Sequence, residues 1–290
     1  MAMKGGRHRW DADNSAISGA VTAVMLLLII SSVLSIVVSM YVPVWGEADE
    51  ANHLRTSLEQ FYGLRENIDA QVLRDSPVTA STKVTLGLEP SALMGFSKTT
   101  GKIVANPFNG TCSIYNSTDS SDIYARCRGN ITFTSQNSYQ PQLSYIYELG
   151  AILVAGPGGS GAAMRAPPHF GVSKVGSNLT VSMLFVSLAG DFQSTVGTDN
   201  VIVESKRVSS DHNIYEGADW DLGKDLSVNI TTPYPAAWAK YFNDSLGRPS
   251  TGLTNGTDYA WTTGTGWVRL DLKKVKQLDI AVAFIDIRIK

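Results

Sequence analysis

Charge is missing from residues 16–46, where no Asp, Glu, Lys, Arg or His interrupts a run dominated by Leu, Ile, Val, Met and Ala. A soluble core helix rarely stays uncharged for so long, and a secretory signal has an apolar region of only about 7–15 residues. The run, most apolar over residues 24–38, reads instead as one membrane-spanning helix, since a bilayer core about 30 Å thick needs roughly 20 residues. Cysteine is scarce as well: Cys112 and Cys127 are the only two, and no His lies near either, which excludes a zinc site built on them. The four histidines, His8, His53, His169 and His212, are scattered without ligand spacing. Basic residues show no excess, with 24 Lys and Arg against 26 Asp and Glu, and form no stripe, which excludes nucleic acid as a partner. No serine elbow, zincin motif or P-loop is present, and the chain reads as no enzyme. The glycines at 156, 158 and 161 match G-x-G-x-x-G in form only. Pro167-Pro168 arrive before a helix can start, and no acidic residue follows about 20 positions on.

What is present orients that helix. Lys4, Arg7 and Arg9 precede it, while Glu47, Asp49 and Glu50 follow it, so the positive-inside rule places residues 1–14 as a cytoplasmic leader and the rest outside. Beyond the membrane run, Leu54, Leu58, Phe61, Leu64, Ile68 and Val72 recur at steps of three and four, an apolar stripe on a helix otherwise covered by Glu50, Arg55, Glu59, Arg65, Glu66 and Asp69. One helix over 15–75 is expected, capped by Asp13, Asn14 or Ser15, bent where Pro43 removes a hydrogen bond and Gly46 loosens the turn, and stopped by Asp75-Ser76-Pro77. Residues 76–290 then alternate in short segments rich in Val, Ile, Thr, Tyr and Phe. Strands are predicted at 82–88, 123–128, 130–134, 144–154, 180–188, 201–206, 226–230, 267–272 and 278–289, with one short helix at 236–246. The fold class is α+β: a long N-terminal helix and a mainly antiparallel β ectodomain, of one sandwich or two lobes.

Seven Asn-x-Ser/Thr sequons, at Asn109, Asn116, Asn130, Asn178, Asn229, Asn243 and Asn255, all fall on the outer side and make glycosylation an expectation. Cys112 and Cys127 flank a polar, turn-rich segment there. A disulfide closing that loop would contribute roughly 3 kcal/mol. The densest set of oxygen ligands includes Asp211, Asp219 and Asp221, a weak calcium candidate whose spacing is not that of an EF-hand; no other cofactor is implied. Trp220, Trp238, Tyr241, Tyr259, Trp261 and Trp267 either form a sugar- or protein-binding face or belong to the core.

Basic residues, then Ser15-Ala16-Ile17-Ser18-Gly19-Ala20 opening a long apolar helix, an amphipathic continuation and a β-rich head together resemble an archaeal type IV pilin-like surface protein. Residues 11–73 and 139–154 carry the likeness, with Tyr41-Val42-Pro43-Val44-Trp45 at the helix exit and Tyr145 to Leu153 in the head. The resemblance implies a leader trimmed by a prepilin peptidase and helices bundled into a filament core with β heads outside. The cleavage motif is approximated by Asp11-Ala12 ahead of Asp13. Small residues suited to close packing in lipid, Gly19, Ala20, Ala23, Ser31 and Ser35, precede Pro43 in the assembly helix. Two functions follow. One is a major or minor structural subunit of an adhesive extracellular filament, with lipid and other pilin-like subunits or itself as partners. The other is a non-polymerising single-pass ectodomain that binds a surface partner or carbohydrate.

Overall fold

Helix runs unbroken from His8 to Leu73 in the computed structural model, which describes residues 8–74, 78–88, 99–117, 122–216 and 224–290. The first part, α1 (His8–Ile36), passes through a five-residue π-helical turn (Val37–Tyr41) into α2 (Val42–Leu73). Pro43 accounts for that turn. Proline has no N–H, and its ring crowds the carbonyl four residues back, so the turn widens and the Val42 N–H reaches the Val37 carbonyl. The expected bend is thus a widened turn. Asp13, Asn14 and Ser15 lie within α1 rather than capping it, because the helix already runs from His8. Asp75-Ser76-Pro77 lies outside the described residues.

Among the described residues the head contains thirteen strands and one short α-helix. They are β1 (Thr79–Thr85), β2 (Thr100–Asn116), β3 (Asp122–Gln136), β4 (Leu143–Glu148), β5 (Ala151–Ala155), β6 (Ala163–Ala166) and β7 (His169–Val175). There follow β8 (Asn178–Ala189), β9 (Gln193–Gly197), β10 (Asn200–Tyr215), β11 (Lys224–Thr231), α3 (Pro235–Leu246), β12 (Tyr259–Gly264) and β13 (Trp267–Ile289). The main strand order is β1-β10-β13-β11-β2-β3-β4-β5-β6. Pairing is largely antiparallel, but β8 runs parallel to β13 from Leu179 opposite Val275 to Ala189 opposite Asp286.

Two apolar clusters share this sheet. On one side Phe61, Leu64 and Ile68 of α2 pack on Ile103, Phe133, Tyr145, Tyr147 and Ile285. On the other, Trp238 and Phe242 of α3 pack with Ile146, Leu153, Met183, Leu270 and Ile280. Strand β4 divides them, with Tyr145 and Tyr147 facing α2 and Ile146 facing α3, so its sequence is apolar at consecutive positions instead of alternating. The segment 144–154, expected as one strand, is a hairpin, because Leu149 (φ 53) and Gly150 (φ 87) take the left-handed conformation that a tight two-residue turn requires. The expected strands at 123–128 and 130–134 are one, running through Gly129. There φ is +102, and an added Cβ would come within 2.5 Å of Leu188 Cβ. The segments at 267–272 and 278–289 likewise form the single β13, which lies in the middle of the sheet.

Candidate functional site: the exposed helix and its mount on the head

From Gly19 to Tyr41 almost every side chain faces outward; Leu27 is 66 % exposed, Ile29 64 % and Leu34 61 %. The helix is long and apolar enough to cross a membrane, and no other described part of the chain covers it. Its polar groups look after themselves. Ser32 Oγ donates to the Leu28 carbonyl at 2.7 Å and Ser39 Oγ to the Ser35 carbonyl at 2.7 Å, so neither hydroxyl needs water. Gly19, Ala20, Ala23, Ser31 and Ser35 all sit on this exposed rod, with open space around Gly19.

At Val42 the pattern reverses. Val42, Gly46, Glu50, His53, Leu54, Ser57, Phe61, Leu64, Ile68 and Gln71 form one buried stripe against the head. Gly46 is the first close contact: a Cβ there would lie 2.5 Å from the Tyr139 ring, so glycine lets the loop between β3 and β4 lie on the helix backbone. One turn later Glu50 is fully buried. Its Oε1 accepts the Ser138 N–H at 2.8 Å, and its Oε2 accepts those of Tyr139 and Gln140, both at 2.7 Å. Charge-assisted bonds of this kind are about twice as strong as neutral ones. Tyr145 OH then donates to the Leu54 carbonyl at 2.8 Å, Gln60 exchanges two bonds with Thr85, Asn67 donates to Thr82, and Gln71 Nε2 donates to Ser205 Oγ at 2.8 Å. His53, edge-on to Phe133, has its pKa pushed down by burial, against the opposing charge of Glu50. The head is therefore bolted to α2 along most of its length, while the helix from Gly19 to Tyr41 stays bare.

Cys112 and Cys127 do meet. They stand opposite one another on β2 and β3, each 1 % exposed. Both are free thiols, so the bridge expected from the sequence is not formed in this structure. The Cys112 thiol is pushed well up by its hydrogen bond with Cys127 and by burial. Among the sequons, Asn116 (2 % exposed) and Asn130 (3 %) are buried, and a folded head has no room for a glycan on either. Asn109, Asn178 and Asn229 are half-buried, while Asn243 and Asn255 are exposed. Asp211 is exposed on β10, whereas Asp219 and Asp221 lie outside the described residues, as does Trp220. Among the described residues no three His, Cys, Asp or Glu gather as a metal site. Trp238 and Tyr259 are core residues, Tyr241 and Trp261 pack against that core, and Trp267 keeps 38 % of its surface exposed. Pro157–Gly159 forms a single 3₁₀ turn followed by strand β6, so no helix begins at those glycines.

Two carboxylates escaped sequence reasoning. Glu50 was assigned to the solvent face, yet it occupies the buried stripe four residues after Gly46, because three backbone N–H groups wait there. Glu148 is fully buried beside the β4–β5 turn, where it accepts Trp238 Nε1–H at 2.9 Å. Burial raises its pKa, and hydrogen bonds from Thr232, Trp238 and Asn130 resist the rise. Its signal was a lone acid inside the apolar run from Tyr145 to Ala155. The chain matches no protein-family model, no curated protein and no solved structure.

Proposed function

We propose that this is an archaeal type IV pilin-like cell-surface protein, a major or minor structural subunit of an extracellular filament with an adhesive role. The observation that carries the reading is the contrast along one helix, bare and apolar from Gly19 to Tyr41, then sunk into a β-rich head from Val42 onward. A bare apolar rod is stable where acyl chains or other apolar helices surround it. Before assembly lipid serves, and in a filament the partners are neighbouring copies or other pilin-like subunits. Ser31, Ser35 and Ser39, at steps of four, give such neighbours a ridge of small side chains to approach. The basic leader stays in the cytoplasm for a prepilin peptidase, and the head lies outside the cell.

One observation favours the second reading, a non-polymerising anchor whose ectodomain binds a surface partner or carbohydrate. Asp11-Ala12-Asp13 lies inside α1, and a peptidase needs an extended substrate. N-terminal sequencing and intact mass of protein from native membranes and from sheared extracellular material separate the two. A mature start at or near Asp13 with protein in the sheared fraction is the expected result. An intact leader with protein confined to membranes overturns the filament and leaves the anchor.

A further inference from the structure

The seven sequons are not equivalent, and the structure singles out one. Strand alternation puts Asn229 and Thr231 on the face of β11 opposite Val228 and Ile230, which are in the core beneath α3. On that outer face lies a hollow of about 400 Å³ lined by Tyr115, Asn229, Thr231, Thr265, Trp267 and Arg269, together with the Gly266 backbone. Acceptor and hydroxyl residue of one sequon therefore share a concavity with a half-exposed indole. That indole is held in place from behind. Gly264, directly opposite Trp267 across the β12–β13 pair, leaves so little room that a Cβ would come within 2.3 Å of the Trp267 Nε1. On the far wall the Arg269 guanidinium lies 6.0 Å from the Tyr115 ring and is tied to Asp271 at 2.7 Å. The bonds that hold this face together run through Ser117, Ser227, Asp271 and Arg269 and leave the Asn229 carboxamide out. Asn109, by contrast, spends its Oδ1 on the Gly110 N–H, and Asn130 bonds Glu148.

We propose that Asn229 carries an N-linked saccharide and that this hollow holds its first sugar, the C–H face of the ring lying on the Trp267 indole and its hydroxyls turned to Thr231, Thr265 and Arg269. The chemistry fits because a sugar presents an apolar C–H face and a polar rim, which an aromatic plane bordered by hydroxyl and guanidinium groups complements. The attachment joins Asn229 Nδ2 to the anomeric carbon of a lipid-linked oligosaccharide. The bond from that carbon to the polyprenyl phosphate oxygen breaks, the phosphate leaves with the electron pair, and the amide gives up one proton; nothing is oxidised or reduced. β11 lies inside the sheet, between β2 and β13, so attachment precedes closure of the head. The inference rests on the outer location of the head proposed above.

The test is glycopeptide mass spectrometry of the full chain from its native membranes, beside protease accessibility of the head on intact cells. The prediction is a glycan on Asn229, lost in Asn229→Gln. Trp267→Ala keeps the glycan, and its Tm loss is about 2–4 °C greater in the glycosylated chain than in the Asn229→Gln background, where only the indole's own packing is lost. An accessible head whose Asn229 is bare, while other sequons are occupied, overturns the proposal and leaves the outer location standing. An inaccessible head overturns both. A glycan on Asn229 with the same Tm loss in the Asn229→Gln background shows a sugar that does not touch the indole, and the hollow is then not its seat.

Discussion

The N-terminal helix carries its apolar side chains in two different ways on either side of its π turn. From Gly19 to Ile36, apolar side chains cover most of the circumference and nothing in the described head touches them. Above Tyr41, apolar side chains are confined to one stripe, and the head supplies the other half of the contact. The first half depends on its solvent, the second on its own chain. The same residue type should thus behave oppositely in the two halves, with stability set by what surrounds a side chain rather than by its hydrophobicity alone.

That contrast can be broken most sharply at Phe61, which is fully buried between Phe133 and Tyr145. Phe61→Ala is expected to destabilise the head by about 3–5 kcal/mol in urea denaturation, while Leu27→Ala, in the exposed half, leaves the head's midpoint unchanged. A drop of similar size from Leu27→Ala would mean that the rod docks on the head after all. Next comes Glu50→Ala, which strips three backbone N–H groups of their acceptor and should destabilise by about 3 kcal/mol, with hydrogen exchange accelerated first at residues 138–140. Gly46→Ala pushes against the Tyr139 ring and should cost about 1–2 kcal/mol, against no measurable loss from Gly19→Ala, where no atom lies within 4 Å of the new Cβ. At the bottom of the scale, Arg55→Ala removes only an exposed pair with Glu59 and should change stability by less than about 0.5 kcal/mol.

The two cores can be told apart by pH. His53, on the α2 side, has a folded pKa held by burial below the ordinary histidine value of about 6.5, so the unfolded chain binds that proton first. Stability is lost as pH falls from about 6.5 toward the lowered folded value. Glu148, on the α3 side, has a folded pKa above 4.5, so the folded chain binds that proton first, and stability is lost as pH rises from about 4.5 through the raised value. Urea midpoints across this range should lose the acid-side slope in His53→Gln and the opposing slope in Glu148→Gln. A profile unchanged in both variants would reject the assignment.

Elements whose pattern is local were legible in the sequence. The helix at Pro235–Leu246 was expected at 236–246, and the stripe from Leu54 to Ile68 was read correctly, because each carries its own 3.6-residue period. β2 was missed because Asn106-Pro107-Phe108-Asn109-Gly110 interrupts its alternation. The register with β3 jumps there, from Asn106 opposite Asn130 to Thr111 opposite Arg128, and only the partner strand reveals continuity. The β4–β5 turn was missed because Leu149 sits where glycine or asparagine is expected. Glu50 and Glu148 were hidden for a related reason. A buried carboxylate is specified by donors 88 and 90 residues away in sequence, Ser138 for Glu50 and Trp238 for Glu148, and no window along the chain brings these together.

β13 sets the timetable by which this protein comes into being. It pairs with β8, β10, β11 and β12 and supplies side chains to both cores, yet every other described strand precedes it along the chain. A growing chain that has not passed Ile289 has neither core closed, however much of the head has been made. The helix precedes the head along the chain, so the unfinished head keeps its strand edges open until β13 arrives. Interrupting synthesis within β13 should therefore yield an unfolded head, exposed to proteases as one unit rather than strand by strand.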